Sequence, residues 1–166
     1  MFGILNKMDL RIFYALILTV LPITELRVGL PLAIIYAVDN QIPISLIFSL
    51  VVILNILVIF FIFYFLDNIH HLLLKNSTYQ KMFGSFLKRF QRKIDKFEKR
   101  YEAIGFFALA TFVAVPLPGT GAWTGCLLAW IFGLDRKESI LSISIGVFVA
   151  GLIILLGTLS YLGFFT

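Results

Sequence analysis

Charged residues and cysteine are scarce in this chain of 166 residues. Only 14% of the residues are Asp, Glu, Lys or Arg, whereas 60% are hydrophobic and the mean hydropathy is +1.00. A soluble domain of this length could not bury so much apolar surface, so the composition predicts an integral membrane protein. Cys126 is the single cysteine. It excludes an intramolecular disulfide and a cysteine-built metal site, and we interpret it as a small packing residue.

The sequence also lacks the residue patterns that enzymes and metal proteins use. It contains no Walker loop and no cluster of metal ligands, and His70 and His71 are adjacent, so they lie on different helix faces. We therefore expect no enzymatic activity, cofactor or metal, and we place the histidines at the membrane interface. Nine of the fourteen basic residues fall between Lys75 and Arg100, which indicates contact with lipid headgroups rather than nucleic acid.

Four apolar blocks account for most of the chain. Three of them contain no Asp, Glu, Lys or Arg, and each is longer than the roughly 20 residues that a membrane-spanning helix needs. The first block carries charges, and no small-residue cleavage site follows it cleanly, so a signal peptide is not expected. Residues 1–9 are predicted to lie at the membrane interface. The blocks are residues 12–38, 42–66, 104–134 and 139–165.

Proline and glycine interrupt the first and third blocks, at residues 22–31 and 116–121. The arms of the first block have a dozen residues or fewer, about 18 Å of helix against a hydrocarbon core of about 30 Å. We predict two re-entrant hairpins, because irregular backbone survives at that depth only when protein or a wet cavity surrounds it. A single kinked helix over residues 12–38 is the alternative. The predicted arms are residues 11–21, 32–38, 104–115 and 122–134.

The second and fourth blocks are predicted to form plain membrane-spanning helices over residues 43–66 and 139–165. Asn55 is the one strongly polar residue in the first of them, and both a cross-helix hydrogen bond and contact with substrate are open to it. Between the halves, residues 67–103 place aromatic and aliphatic side chains at helical spacing, with basic residues on the other faces. This pattern predicts an amphipathic helix on an anionic membrane surface, in the cytoplasm by the positive-inside rule.

The two halves repeat at an offset of 96 residues. Eight of the nineteen positions from 21 to 39 are identical to those from 117 to 135, and Pro, Thr, Gly and Asp are among the identities. With the linker in the cytoplasm, the halves are inverted copies, and paired Gly/Pro-interrupted segments in such copies indicate a transporter's midplane site. The predicted fold is one all-α membrane domain, residues 1–166, built as an inverted repeat. Its units are hairpin 11–38 with span 43–66, and hairpin 104–134 with span 139–165, joined by linker 67–103.

Small residues recur every four positions in the second arm of each hairpin. This spacing lets membrane helices approach closely where no hydrophobic effect drives them together. We interpret the stripe as a packing feature and not as a set of ligands. Its members are Gly29, Ala33 and Ala37 in the first half, and Gly121, Gly125, Ala129 and Gly133 in the second.

The two interruptions hold the candidate ligand-binding residues. Thr24 and Thr120 each precede a predicted helix and are candidate N-caps, which would aim two helix N-termini at the membrane centre. The backbone N–H groups around Gly119 form a candidate anion nest, and Arg27 has a planar fork suited to phosphate or carboxylate. A charge at membrane depth costs at least about 2.5–3.5 kcal/mol, which makes a buried carboxyl group a functional candidate.

We expect Glu25 to carry a coupling proton, because desolvation disfavours its ionised form. An internal ion pair between Glu25 and Arg27, locking the hairpins together, is the alternative. The two side chains converge on one site only if the tip is unwound, since residues two apart diverge on a regular helix. The predicted substrate-binding residues are Thr24, Glu25, Arg27, Gly119, Thr120, Gly121 and Trp123, and the predicted hairpin-tip prolines are Pro22, Pro31, Pro116 and Pro118.

Residues 25–31 (ELRVGLP) and 116–125 (PLPGTGAWTG) resemble the two signatures of the bacterial small multidrug export protein family. The layout is similar to that of the wider DedA/VTT superfamily. The resemblance implies a bacterial inner-membrane protein with two opposed re-entrant hairpins, and it implies proton-dependent drug tolerance or movement of lipids such as the polyprenyl-phosphate carrier. The arginine of the second DedA-type hairpin has no counterpart here, because residues 104–134 hold no charge.

Three functions follow from these observations. The leading hypothesis is a small secondary transporter or flippase that moves an amphipathic, anionic lipid-type substrate with proton coupling. The second is proton-coupled export of small cationic drugs, with Glu25 as counter-ion and Trp123 or another aromatic residue as a cation–π wall. The third is a non-transporting membrane scaffold whose basic helix recruits partners. Expected partners are membrane lipids, the transported molecule, protons and a second copy of the chain in a homodimer.

Overall fold

The computed structural model describes residues 9–22, 24–73, 102–117 and 119–163. These residues form six α-helices and no strand, which confirms the all-helical prediction for this part of the chain. Each half supplies two short helices followed by a long one. We label them α1 (Asp9–Val20), α2 (Glu25–Asp39), α3 (Ile44–Leu73), α4 (Glu102–Ala114), α5 (Ala122–Ile131) and α6 (Arg136–Tyr161).

Two of the helices are long and apolar enough to cross a membrane. They cover Ile44–Asn68 within α3 and Arg136–Tyr161, with mean hydropathies of 3.2 and 2.7. The other four have 10 to 15 residues, so they measure about 15–22 Å and fall short of a hydrocarbon core of about 30 Å. Large apolar side chains on the long helices, such as Phe61 and Leu156, are exposed. Apolar faces of this extent favour a lipid environment over water.

The core lies where the second short helix of each half meets the two long helices. α2 packs against α3 of its own half and against α6 of the other half, and α5 packs against α6 and α3 in the same way. The two long helices also contact each other. Both halves therefore contribute to one core. Its largest side chains with less than 2% exposure include Leu30, Ile34, Val51, Ile59, Val113 and Ile143.

The break in the first apolar block is shorter than the sequence predicted. α2 begins at Glu25, so residues 21–24 alone connect α1 to α2, and we call them the first tip. Pro31 lies inside α2, so its prediction as a tip residue is wrong. Pro31 has no N–H to donate to the carbonyl of Arg27, which removes one internal hydrogen bond. Complete burial of Leu30 and Ala33 favours the helix despite that loss.

The two arms of the first block pack side by side. A methyl group added to Gly29 on α2 would lie 2.7 Å from the backbone oxygen of Ala15 on α1. α1 and α2 therefore form an antiparallel hairpin, and the alternative of a single kinked helix is wrong.

Residues 115–121 connect α4 to α5, and we call them the second tip. α4 packs mainly against α6, where a methyl group added to Gly146 would lie 2.7 Å from the carbonyl oxygen of Ala110.

Capping chemistry explains where α6 begins. The helix starts at Arg136, three residues before the predicted span, because the Asp135 carboxylate accepts the backbone N–H groups of Lys137 (2.9 Å) and Glu138 (3.0 Å). α3 continues to Leu73, beyond the predicted end at residue 66.

Residues 1–8 and 74–101, which include most of the predicted interface segment and basic helix, lie outside the described residues. The side chains of the adjacent histidines also lie outside them.

One polar cluster joins α3, α5 and α6 away from the tips. Nη2 of Arg136 lies 2.7 and 2.8 Å from the two carboxylate oxygens of Asp67, and the guanidinium carbon is 4.1 Å from the centre of the Phe63 ring. The indole N–H of Trp130 donates to the same carboxylate at 3.2 Å. The Arg136 and Asp67 side chains are 40% and 47% exposed, so the pair lies at a surface and not at the core.

Candidate functional site

The first tip folds back onto the end of α1 through Thr24. Its hydroxyl donates to the carbonyl of Leu18 at 2.6 Å, and no side chain caps α2. Thr24 occupies the N-cap position of α2, as predicted, with φ −91° and ψ −45°. Its side chain does not cap the helix, because the hydroxyl bonds Leu18 instead. The next residue, Glu25, has a φ of 44°, in the left-handed region that non-glycine residues seldom adopt. This one-residue distortion at a buried carboxyl group is typical of functional sites.

The second tip is organised around the hydroxyl of Thr120. It lies 2.6 Å from the carbonyl oxygen of Val115 and accepts the backbone N–H of Leu117 at 3.3 Å. Gly121, with extended backbone, occupies the N-cap position of α5, so the prediction of Thr120 as the N-cap is wrong. Gly119 has a φ of 86° and no atom within 4 Å of an added methyl group. This conformation suits glycine and turns the chain toward α5.

Glu25 closes the N-terminus of α5 from the other half of the protein. Its Oε1 accepts the backbone N–H of Trp123 at 3.1 Å, and the N–H of Ala122 faces the same carboxyl group. Gly121 carries no side chain, and a methyl group there would overlap with the carboxyl group. The Glu25 side chain therefore takes the place of an N-cap side chain, with the favourable charge for a helix N-terminus. Glu25 is only 4% exposed.

Arg27 also contacts the second tip, but through Thr120. Its Nη2 donates to the Thr120 hydroxyl at 2.8 Å, and it forms no ion pair with Glu25 within the described part of the chain. Glu25 and Arg27 lie two residues apart, yet both contact the second tip. The left-handed backbone at Glu25 explains this convergence, because regular helical geometry begins only after that residue.

Trp123 connects the start of α5 to the end of α1. Its indole N–H donates to the carbonyl of Val20, the last residue of α1, at 2.9 Å. A carbonyl at a helix C-terminus has no partner within the helix, so this bond satisfies a group that would otherwise need water. The indole N–H of Trp123 therefore donates within the protein in this arrangement, and its ring lies against the core.

Three polar side chains of the described residues line one small cavity beside the tips. Glu25 and Arg27 come from α2, and Asn55 comes from the middle of α3. The cavity has a volume of about 20 Å³. Asn55 is 2% exposed and donates from Nδ2 to the carbonyl of Val51 in its own helix, at 3.0 Å. The sequence left the role of Asn55 open, and only the crossing of α3 with the two tips brings it to the site.

The small-residue stripe packs as expected at some positions and not at others. Gly29 and Gly125 are buried against the first arm of their own hairpin, where a methyl group at Gly125 would lie 2.8 Å from Val113. Ala33 and Ala129 are also buried. The prediction for Gly133 is wrong, because it is exposed with nothing within 4 Å of an added methyl group. Its φ of 62° instead ends α5 in a Schellman turn, closed by the N–H of Leu134 and the carbonyl of Ala129.

The remaining tip residues lie at the edges of the site. Pro22 is exposed in the first tip, and Pro116 is partly buried in the second. Pro118 lies outside the described residues. The described residues hold no group of three or more His, Cys, Asp or Glu side chains that could bind a metal ion. The site therefore offers one buried carboxyl group, one guanidinium and a set of backbone donors at the junction of two helix ends.

Most of the chain matches a known protein family. A family model described as "Putative small multi-drug export protein" matches residues 25–153, which include Glu25, Arg27 and the whole second tip. No curated protein and no solved structure matches the chain. Two apolar segments are long enough to span a membrane, Ile44–Asn68 and Arg136–Tyr161. The matched region contains all of the first and most of the second. The family description and the two segments together indicate a membrane protein.

Proposed function

The chain belongs to the small multi-drug export protein family, and from this premise we propose that it is a small secondary transporter of an amphipathic, anionic lipid-type substrate. A polyprenyl phosphate is the substrate we favour. One observation carries the proposal. Within the described part of the chain, the guanidinium of Arg27 beside the second tip donates one hydrogen bond, to Thr120, and forms no ion pair.

An anionic substrate matches the donors that Arg27 retains. Guanidinium has five N–H donors in a planar fork, and one bond to Thr120 leaves most of them for a phosphate group. Glu25 does not compete strongly, because its carboxyl group already accepts the backbone N–H groups at the start of α5. A single phosphate needs few donors, and the hydrocarbon tail of a polyprenyl lipid can remain in the membrane.

Glu25 is the residue we propose for proton coupling. It is a buried carboxyl group next to a guanidinium, and removal of its charge would weaken its hold on the N-terminus of α5. A change in its protonation would therefore alter the contact between the two tips. This links proton binding to the geometry of the phosphate site through one side chain.

We propose that the two halves form an inverted repeat with re-entrant hairpins in a bacterial inner membrane. Two observations support this. α2 contacts α6 while α5 contacts α3, so each second arm crosses to the long helix of the other half. In addition, Glu25 and Gly121 are equivalent in the 96-residue register and lie against each other, as expected for positions beside a pseudo-two-fold axis. We extend the proposal to membership of the DedA/VTT superfamily and to residues 67–103 lying in the cytoplasm.

The family description favours a second candidate, proton-coupled export of small cationic drugs. In that case Glu25 would be the counter-ion and the Trp123 ring a cation–π surface. Arg27 opposes this candidate, because its positive charge lines the same cavity as Glu25. The two candidates therefore predict opposite effects when Arg27 is neutralised.

The test is transport by the full-length protein in proteoliposomes, with a labelled polyprenyl phosphate and a fluorescent cationic dye assayed in parallel. Arg27→Gln should reduce lipid-phosphate movement about tenfold or more, because charge-assisted hydrogen bonds contribute about 1.5–3 kcal/mol. Arg11→Gln removes an exposed arginine from the same hairpin and should leave the rate unchanged. Dye movement that increases in Arg27→Gln, without any lipid-phosphate movement in wild type, would favour the drug-export candidate.

Glu25→Gln addresses the coupling residue. Under an imposed proton gradient, wild type should respond and Glu25→Gln should not, while its melting temperature in detergent is checked to confirm folding. Wild-type rates in both Glu25→Gln and Arg27→Gln would refute the assignment of the site.

A further inference from the structure

The cavity beside the tips has the size and the lining of a water site. A buried water needs roughly 10–15 Å³ of accessible volume and two to four polar partners. The cavity measures about 20 Å³ and is lined by the polar side chains of Glu25, Arg27 and Asn55. Apolar side chains from α4 and α6 complete the wall, including Val113, Val147, Ala150 and Ile154.

Asn55 has unused hydrogen-bonding capacity in this setting. Its amide offers two N–H donors and one carbonyl acceptor, and Nδ2 donates once, to the carbonyl of Val51. The residue is 2% exposed and lies in the middle of a helix long enough to span the membrane. A water bound in the cavity would give this buried amide a further hydrogen-bond partner, which favours its binding.

We propose that the cavity binds one water molecule, which bridges the amide of Asn55 to the carboxyl group of Glu25. Asn55 is then a positioning residue that acts on Glu25 from the long-helix side of the site. Among the described residues, the ionisable groups that interact with Glu25 are Arg27 on α2 and the buried thiol of Cys126 on α5. The residues of α4 and α6 that line the cavity are not ionisable.

The consequence for transport rests on the proposed function. The bridging water would be the first carrier for a proton that enters or leaves Glu25, and Asn55 would hold it in place. The water site itself does not depend on that function, since it is argued from the cavity, the amide and the carboxyl group alone.

Infrared spectroscopy of the full-length protein in proteoliposomes tests the inference. The carboxyl stretching band of Glu25 is assigned by its loss in Glu25→Gln. Asn55→Leu keeps a similar volume but removes the amide, and should shift that band and reduce transport about tenfold. Thr158→Val is the matched control, because it removes a buried hydroxyl that likewise bonds its own helix, at the Ile154 carbonyl. It should leave the band in place.

A second variant keeps Asn55 intact. Val147→Ile adds one methylene group, comparable in volume to a water molecule, and should shift the Glu25 band by displacing the water. An unshifted band in folded Asn55→Leu or in Val147→Ile would overturn the water bridge. A different result is expected if the proposed function is wrong but the water bridge exists. Glu25→Gln and Arg27→Gln would then transport at wild-type rates, while Asn55→Leu and Val147→Ile would still shift the Glu25 band.

Discussion

Gly121→Ala perturbs the contact between the second tip and Glu25 at the start of α2. The added methyl group would overlap with the carboxyl group of Glu25, which is 4% exposed and held by the N–H groups that begin α5. Because Glu25 is enclosed, the clash cannot be relieved by a small rotation into solvent. The carboxyl group must leave the N-terminus of α5, and the backbone N–H of Trp123 then loses its acceptor.

The expected cost follows from these losses. Removal of an N-cap costs about 0.5–2 kcal/mol, and a buried donor left without a partner costs about 1–3 kcal/mol. When the carboxyl group leaves its enclosed position, part of the free-energy cost of burying it is recovered, and this offsets part of the sum. We expect Gly121→Ala to lower the free energy of unfolding by about 2 kcal/mol, equivalent to a fall in melting temperature of about 4–8 °C.

A double-mutant cycle in detergent separates the clash from a general effect of alanine. Once Glu25→Ala has removed the carboxyl group, the second substitution Gly121→Ala has nothing to displace and should cost little, so the coupling energy should be about 2 kcal/mol. Gly157→Ala is the control, since no atom lies within 4 Å of its added methyl group. It should be neutral or stabilising by about 1 kcal/mol. Additive costs for Glu25→Ala and Gly121→Ala would refute the capping role of Glu25.

Three further predictions concern the same framework. Gly29→Ala should separate α1 from α2 and lower the melting temperature more than Gly157→Ala does, because its methyl group would meet the backbone of α1; equal melting temperatures would contradict the hairpin packing. Trp123→Phe should cost about 1 kcal/mol in unfolding experiments through loss of one hydrogen bond, and no change would mean that the indole bond is unimportant. Asp67→Asn should lower the free energy of unfolding by less than about 1 kcal/mol, because its ion pair with Arg136 is partly exposed. Adding Arg136→Gln to that variant should lower it little further. A larger loss, or additive losses from the two substitutions, would contradict this.

Composition and periodicity were sufficient to predict the helical architecture and the two long apolar helices. The end of each helix required information that periodicity lacks. Pro31 was predicted to interrupt the helix, because proline inside a helix costs about 3 kcal/mol or more. Burial of the flanking residues outweighs that cost, and this burial depends on α1, α3 and α6.

The residues of the candidate site were easier to predict than their roles. Glu25, Arg27 and Thr120 stood out as polar residues in apolar blocks, but their partners lie more than 90 positions away in the sequence. Thr24 and Thr120 were predicted as N-caps from local preference alone. The actual cap of α5 is Glu25, a side chain from the other half of the protein, which no local rule identifies. Asn55 reaches the site only because α3 passes beside both tips.

The affinity of the purified full-length protein for a polyprenyl phosphate tests the central claim most directly. Titrations in detergent should show that Arg27→Gln raises the dissociation constant about 10- to 100-fold, the equivalent of lost charge-assisted hydrogen bonds of about 1.5–3 kcal/mol. Arg11→Gln, which changes an exposed arginine of the same hairpin, should bind as tightly as wild type. Equal affinities for wild type, Arg27→Gln and Arg11→Gln would contradict a phosphate site where the two tips meet.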